Sequence, residues 1–478
     1  MRKLICIFVA AMLVFSSCAG DIFIEPEYCP LEPFFRDRSL LYGETLTITV
    51  PTLIPFFVTQ MQAAIRALEQ ELEDVNVTIH LNVIDDTTPE LSIFQQLVNL
   101  ELMAGTLNGL VMLDNSWSFG ERGIDWRNPE VSSLFFTDMW PLLRADPEFN
   151  NENFVHSIFE AFTLGDGSLR VVPHAVAFDS FRANRAIPGL EESFLTFESV
   201  TIDDLHELHD RYVAGSHHMF LAYSPMHVAQ VLASEFLDVD NMAASFDSDR
   251  FVDLMVHALE MTNPARDEAM RGLWVGRGGI VQPEAMHSAT YAFMSGRPLL
   301  HAFEHVPLAG HTSLFSPPIP YTNSDGALLI HPFMPFAISA HSSYEERVLA
   351  WKLIKHFACV ERFTPDGFSE AIHINRHTTH KNIYFSVTSW YIGGQFGNHF
   401  ARQTGLFLDV PEDEALERVM DFYRKASNMP MVLQNPYRRA ITYAIESATE
   451  AIGAGVVLPS QAAASLQNRV MLILMEGN

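Results

Sequence analysis

The chain has 478 residues, of which 48% are hydrophobic and 18% are charged, so it can bury a large core and divide into two or three domains. Its formal net charge is −28, and so acidic a surface argues against nucleic-acid binding and against membrane attachment through a basic patch. Cys6, Cys18, Cys29 and Cys359 lack the spacing of a metal site, and a chain this long needs no disulfide scaffold.

The first residues carry an export signal. A positively charged start precedes the apolar stretch Leu4–Phe15, which is too short to span a bilayer, and small residues then lead into Cys18. This arrangement resembles a bacterial lipoprotein signal, which implies that residues 1–17 are removed and that Cys18 is lipidated. Two or more acyl chains would hold the protein stably on the outer side of the cell membrane. An ordinary signal peptide cut nearby is the alternative.

After the signal, residues 18–43 combine several prolines and acids without periodicity, which predicts a flexible tether. Alternating apolar residues then predict strands, and three-to-four spacing predicts helices between them. The predicted order is a strand at Thr45–Val50, a helix over 57–72, a strand over 75–83, a helix over 89–104 capped by Gly105, and a strand at Gly109–Leu113. Strands that alternate with helices indicate a mostly parallel sheet.

The rest of the chain is predicted to be richer in helix. Apolar spacing predicts helices at Leu205–Val213, His227–Leu237, Phe251–Thr262, Glu345–Phe357 and 459–475, and a strand near Leu299–Phe303. Two overlapping capping boxes, Ser342 with Glu345 and Ser343 with Glu346, start the helix near 345. Asn435 is expected to cap a helix that Gly453 closes.

Five segments in order resemble the extracellular solute-binding proteins of the maltose- and oligosaccharide-binding type. They are Leu100–Gly105 with its following strand, Asp166–Pro173, Phe293–Leu300, Ala337–Phe357 and Gly453–Met475. Ser168, Arg170 and Pro298 depart from the family pattern. The resemblance covers about residues 45–478.

The resemblance implies an α/β, two-lobed periplasmic-binding-protein-like (type II) fold, in which each lobe is a mostly parallel sheet flanked by helices and the lobes are joined by crossover strands. By analogy, lobe one spans 44–172 and 316–372, and lobe two spans 173–315 and 373–478. A small solute, a sugar or oligosaccharide in most of the family, would bind in the interlobe cleft. The protein would deliver it to the permease subunits of an ABC importer and would act as a monomer without catalysis or cofactor.

Loops that follow parallel strands face the cleft in such sheets, which points to several candidate ligand contacts. Sugars need flat apolar faces for their C–H surfaces and carboxylates or amides for their hydroxyls. The candidates are Thr52, Asp114, Asn115, Trp117, Glu304, His305, Trp390 and Tyr391, with His174 and Phe178 as weaker ones. Each has a structural alternative, such as a turn cap or a core position.

Metal and catalytic sites are not predicted. His206-Glu207 followed by His209 is one residue short of the H-E-x-x-H spacing, and the other histidine groups bring no clear set of further ligands. The chain also lacks a G-x-S-x-G motif and a phosphate-binding loop. Two other functions stay open: a lipid-anchored surface enzyme acting on carbohydrate, and a binding protein used for sensing or adhesion.

Overall fold

The structure is a computed structural model, and it describes residues 31–51, 55–84, 93–113, 126–185, 187–213, 218–220, 236–238, 242–261, 291–296, 316, 318–359, 372–375, 412–433 and 438–476. The helices are α1 Glu32–Arg36, α2 Pro55–Glu71, α3 Ile93–Met103, α4 Pro129–Phe135, α5 Trp140–Ala145, α6 His156–Ala161, α7 Leu190–Phe194, α8 Ile202–Tyr212, α9 Asp249–Met261, α10 Tyr344–Cys359, α11 Glu412–Ser427, α12 Arg438–Gly453 and α13 Pro459–Glu476. The strands are β1 Thr45–Pro51, β2 Thr78–Ile84, β3 Leu110–Met112, β4 Val171–Phe178, β5 Ser180–Ala183, β6 His218–Phe220, β7 Leu237–Asp238, β8 Ala243–Ala244, β9 Tyr291–Gly296, β10 Ile319–Pro320, β11 Leu328–Ile338, β12 Ile372–His373 and β13 Met431–Leu433.

The first sheet has the strand order β12-β4-β11-β3-β1-β2, with β13 paired to β11. β1 pairs in parallel with both β2 and β3, so the predicted strand–helix–strand–helix–strand unit is confirmed. β11 is antiparallel to β3 and to β4. It follows that β4 runs in the same direction as the three parallel strands.

The second sheet has the order β10-β5-β9-β6. β5 is antiparallel to both of its neighbours, and β6 is parallel to β9. The C-terminal helices α12 and α13 pack against each other and against α9. Their apolar stripes supply Ile441, Ile445, Leu466 and Val470 to the core of this half of the molecule.

The chain passes between the sheets twice within the described residues, and the order of the elements implies a third passage. β4 leads into β5 through the single residue Asp179. β10 leads back to β11 through a turn in which Asn323 accepts and donates backbone hydrogen bonds with Gly326 and Ala327. The third passage joins β13 to α12 across residues 434–437, which lie outside the described residues.

Two hydrophobic cores correspond to the two sheets. The first includes β4 as far as Phe178 and also Tyr423 and Leu433, which the sequence had placed in lobe two. The second includes Ile319 and Tyr321, which the sequence had placed in lobe one. The division between cores therefore follows the strand crossings, and α11 with β13 packs on the first core because β13 extends the first sheet.

The predicted tether is too long. Residues 31–43 contain α1 and a short 3-10 helix, Arg38–Leu41, instead of a flexible spacer. Leu31 and Leu41 are buried in the first core. Burial of these two apolar side chains outweighs the proline-rich composition, so a tether can extend only through residues before 31.

Three local expectations also need correction. Val75 ends a short 3-10 helix and Asn76 is left-handed, so β2 begins at Thr78. Of the two capping boxes, only Ser343 with Glu346 forms, because the Ser342 hydroxyl accepts from Gly109 N–H at 2.8 Å. Gly455, not Gly453, has the left-handed conformation that closes α12.

The predicted helix at 227–237 also differs where it can be compared. Residues 227–235 lie outside the described residues, and Leu237 belongs to the two-residue strand β7. The cap at Asn435 and the strand predicted at Leu299–Phe303 lie outside the described residues as well. The C-cap at Gly105 is confirmed by the hydrogen bonds from Gly105 N–H to Leu102 and from Thr106 N–H to Glu101.

Candidate ligand-binding site

The carboxyl edge of the first sheet faces the second sheet. The register aligns Met112 of β3 with Phe336 of β11, and Phe336 with Val172 of β4. β4 then continues from Pro173 to Phe178, about 20 Å beyond the level at which β3 ends, before it crosses. The edge at which β1 and β3 end is therefore set back from the crossing, which leaves room for a cleft.

The second sheet presents the corresponding edge from the other side. Gly296, the last residue of β9, pairs with Ser180, the first residue of β5 after the crossing. β6 is parallel to β9 and ends in the same direction. The carboxyl ends of β1 and β3 thus point toward those of β6 and β9 across the crossing strands, as expected for ligand sites at strand carboxyl ends.

Asp179 forms the first passage and is hydrogen-bonded to the second. Its carbonyl oxygen accepts a hydrogen bond from Tyr321 N–H at 3.0 Å, and its Oδ2 lies 3.7 Å from Nε2 of His331. Both side chains are 17% exposed. Sequence reasoning missed this pair, although an acid between two apolar strand runs is a detectable signal.

All eight predicted ligand contacts lie outside the described residues. The structure gives the strands that precede some of them: β1 ends at Pro51, directly before Thr52, and β3 ends at Met112, two residues before Asp114. Glu304 and His305 come after β9 in the chain. Asn115, Trp117, Trp390 and Tyr391 complete the set, and all eight stay predictions.

The two weaker candidates belong to the core and not to a ligand site. His174 is 1% exposed and packs edge-on against Phe357, with ring centres 5.4 Å apart. Phe178 is fully buried and stacks on Phe422. Both face inward because β4 is covered on both sides by helices and strands of the first core.

Two departures from the family pattern have structural roles away from the cleft. Ser168 donates its hydroxyl to Asp166 Oδ1 at 2.7 Å and so closes the turn before β4. Arg170 donates to the carbonyl oxygen of Phe136 at 2.9 Å. Both lie at the start of β4, the end remote from the crossing, so neither alters the predicted contact set.

Glu71 and Lys355, whose pKa values are shifted, form ion pairs between α10 and the elements packed against it. The hydrogen bond from His356 lowers the pKa of Glu71 to about 2 against the opposing effect of burial, and Lys352 adds a second bond at 2.7 Å. Burial opposes the charge of Lys355, yet Asp146 and Glu148 raise its pKa. Glu71 is at the C-terminal end of α2, away from the carboxyl edge of β1, so these shifts reflect structure and not ligand chemistry.

Among the residues that the structure describes, no three His, Cys, Asp or Glu side chains are close enough to hold a metal ion. The described helices also include none with the length and apolarity needed to cross a membrane.

The fold is similar to solved structures over nearly the whole chain. The sugar-binding protein MalE from the phytopathogen Xanthomonas citri is 15% identical, with a TM-score of 0.55. An extracellular solute-binding protein of family 1 from Alicyclobacillus acidocaldarius is 11% identical, with a TM-score of 0.52. Each comparison covers 90% of this chain and 98% of the other.

No protein-family model matches the chain, and no curated protein matches its sequence. At these identities the similarity to solved structures is one of fold. The chain has the two-lobed, periplasmic-binding-protein type of α/β fold that the five sequence segments predicted. From here the half of the molecule around the first core is called lobe one, and the half around the second core lobe two.

Proposed function

We propose that this chain is an extracellular solute-binding lipoprotein that captures a small solute, a sugar or oligosaccharide, between its lobes and delivers it to an ABC importer. The observation that carries the proposal is the opposition of two carboxyl strand edges across three crossings. Two lobes joined in this way can close over a solute by bending at the crossings. The fold of a sugar-binding protein, shared over 90% of the chain, supports the same function.

The proposed contacts follow β1 and β3 in lobe one and β9 in lobe two. Asp114 and Asn115 would accept and donate hydrogen bonds to sugar hydroxyls, and Trp117 would stack on the C–H face of the ring. Glu304 and His305 would approach from lobe two. A solute that contacts both edges favours the closed form in proportion to its affinity difference between the two states.

The binding test uses thermal unfolding of the purified protein with glucose, maltose, maltotriose, sucrose and sorbitol. At 100 times Kd a solute adds about 2.7 kcal/mol and raises Tm by a few degrees. Trp117→Ala should reduce that rise, whereas Trp140→Phe, at a position bonded to Thr163 in lobe one, should not. The solute should be recovered chemically unchanged, because the proposed function involves no catalysis.

The anchor is tested separately. Cells that produce the wild-type chain should incorporate radiolabelled palmitate into it, and Cys18→Ser should abolish the incorporation. Labelling that survives this substitution would refute the lipid anchor and leave the binding proposal intact. Uptake of the identified solute should fall when the gene is deleted.

A further inference from the structure

A cavity lies on the flank of lobe one. It has a volume of about 510 Å³, within the usual range for small-molecule sites. Among the described residues its lining is entirely polar: Asn151, Glu152, His156, Ser157, Ser427 and Asn428. It therefore lies between the start of α6, with the loop before it, and the end of α11.

The strand order separates the α6 rim of this cavity from the strands that precede Thr52 and Asp114. Phe154 bridges to Asn375, and Val155 N–H bonds to the carbonyl of Ile374, which places the start of α6 beside the β12 edge. β3 and β1 lie on the other side of the β4–β11 pair. A molecule that contacts α6 in this cavity would thus lie across the β4–β11 pair from the site that follows β1 and β3.

Both rims of the cavity are held by hydrogen bonds. Asn150 Oδ1 accepts from the N–H groups of Glu152 and Asn153 at 3.0 Å, which fixes the loop before α6. On the other rim, Asn428 N–H bonds to Lys425, and Pro430 accepts from Leu328 N–H. The lining groups are therefore preorganised, which reduces the entropy lost when a ligand binds.

One of the two serine hydroxyls in the lining lacks the bonding expected of a buried group. The Ser157 Oγ is buried without a hydrogen-bond partner among the described residues. Ser427, which also lines the cavity, is only 7% exposed. Because a buried polar group without a partner costs free energy, a molecule that bonds to Ser157 once its hydroxyl has rotated toward the cavity gains what the protein alone lacks.

The chemistry of the lining selects the ligand. Serine hydroxyls, asparagine amides and histidine both donate and accept hydrogen bonds, as sugar hydroxyls do. The His156 ring is stacked on Phe149 with centres 4.4 Å apart, so it forms a fixed flat wall. The Glu152 carboxylate and the net charge of −28 disfavour anions. We infer that this cavity is a second binding site, for a neutral polyhydroxyl molecule such as a monosaccharide, a disaccharide or a sugar alcohol.

The test measures binding of glucose, maltose, sucrose and sorbitol by saturation-transfer NMR to the purified protein carrying Trp117→Ala, which weakens the proposed cleft site. At least one probe should still bind. Adding Ser157→Ala with Ser427→Ala should weaken that binding about tenfold, the effect of two lost hydrogen bonds. Asn151→Trp fills the cavity from its exposed rim and should have at least the same effect without changing a buried residue.

The matched control replaces two exposed serines, Ser133→Ala with Ser447→Ala, whose hydroxyls bond to helix carbonyls elsewhere. It should leave probe binding unchanged. Ser157→Ala should not lower Tm in the free protein, because its hydroxyl makes no hydrogen bond with any residue that the structure describes. Equal binding by the pocket variants and the control, or no probe binding to the Trp117→Ala protein, would overturn the second site. The cleft proposal is judged independently, by a smaller rise in Tm with saccharide in Trp117→Ala than in the wild-type protein.

Discussion

Different interactions stabilise the interior of each lobe. In lobe one, buried charge ties α10 to its neighbours: Trp351 Nε1 donates to Asp146 Oδ2 at 2.7 Å, and Lys355 lies 2.8 Å from the same oxygen. In lobe two, the described residues centre on three phenylalanine rings, Phe236, Phe246 and Phe251, with centres 5.0 to 6.3 Å apart. Both lobes should therefore respond to loss of apolar volume, but lobe one should respond in addition to pH and to loss of polar partners.

The largest expected effect is that of Trp351→Ala. Trp351 is fully buried against Phe149, Phe154 and Phe159, so truncation should lower the free energy of unfolding by about 3–5 kcal/mol. Hydrogen-exchange mass spectrometry should show faster exchange in lobe one. Phe251→Ala should cost a similar amount but accelerate exchange in lobe two. If either variant accelerates both lobes equally, the lobes unfold as one unit and the comparison fails.

A pair of glycines gives a sharper contrast. Gly109 and Gly189 both have positive φ, so alanine strains the backbone at either position. A Cβ at Gly109 would lie 2.1 Å from the Thr47 carbonyl oxygen, whereas one at Gly189 meets the Tyr212 ring, which can move, at 2.9 Å. Gly109→Ala should cost about 3–4 kcal/mol and Gly189→Ala about 1–2 kcal/mol in urea unfolding. Equal costs would show that β1 and β3 can separate without penalty.

The pH response should distinguish the lobes next. The folded-state pKa of Glu71 is lowered from 4.5 to about 2, so its contribution is complete above about pH 4.5 and is lost as the pH falls toward 2. Glu71→Gln should cost about 1–2 kcal/mol at pH 7, a value reduced for a side chain that is 35% exposed. The protection of lobe-one amides against exchange, taken relative to their intrinsic rates, should depend less on pH between 5 and 2 in the variant than in the wild-type protein. An unchanged pH profile would show that Glu71 does not contribute to the pH dependence of stability in lobe one.

An uncharged contact in lobe two should show no dependence on pH. Gln467 accepts from Phe246 N–H at 2.9 Å and donates to the Ala244 carbonyl at 2.8 Å, which joins α13 to β8. Gln467→Ala should cost about 1–2 kcal/mol at every pH, and Gln461→Ala, exposed on the same helix, almost nothing. A cost that varied with pH would contradict the uncharged character assigned to this contact.

Local periodicity predicted the parallel unit of lobe one because its strands and helices are long enough to repeat a pattern. It failed where one residue changed the backbone, as at Asn76, which is left-handed and delays β2. It could not foresee that Ser342 would bond to Gly109, since the two are 233 residues apart. Short helices such as α5 and α6, of six residues each, offer less than two turns of pattern.

The prediction of crossing strands rested on the family resemblance and not on local sequence patterns. Strand pairing over long sequence separations leaves no local signal. For the same reason, the sequence did not indicate that α11 and β13 pack on the first core. It identified the strand ends at Pro51 and near Met112, and hence where the site should begin. It did not reveal the Asp179–His331 pair or the flank cavity, since both arise only when distant segments meet.

The central claim is that a solute closes the two lobes over itself. Small-angle X-ray scattering would test it on the purified protein with and without a saturating amount of whichever saccharide of the panel raises Tm most. The radius of gyration should decrease with that saccharide in the wild-type protein and should not decrease at the same concentration in Trp117→Ala. An unchanged radius of gyration in the saturated wild-type protein would contradict closure around a solute in the cleft.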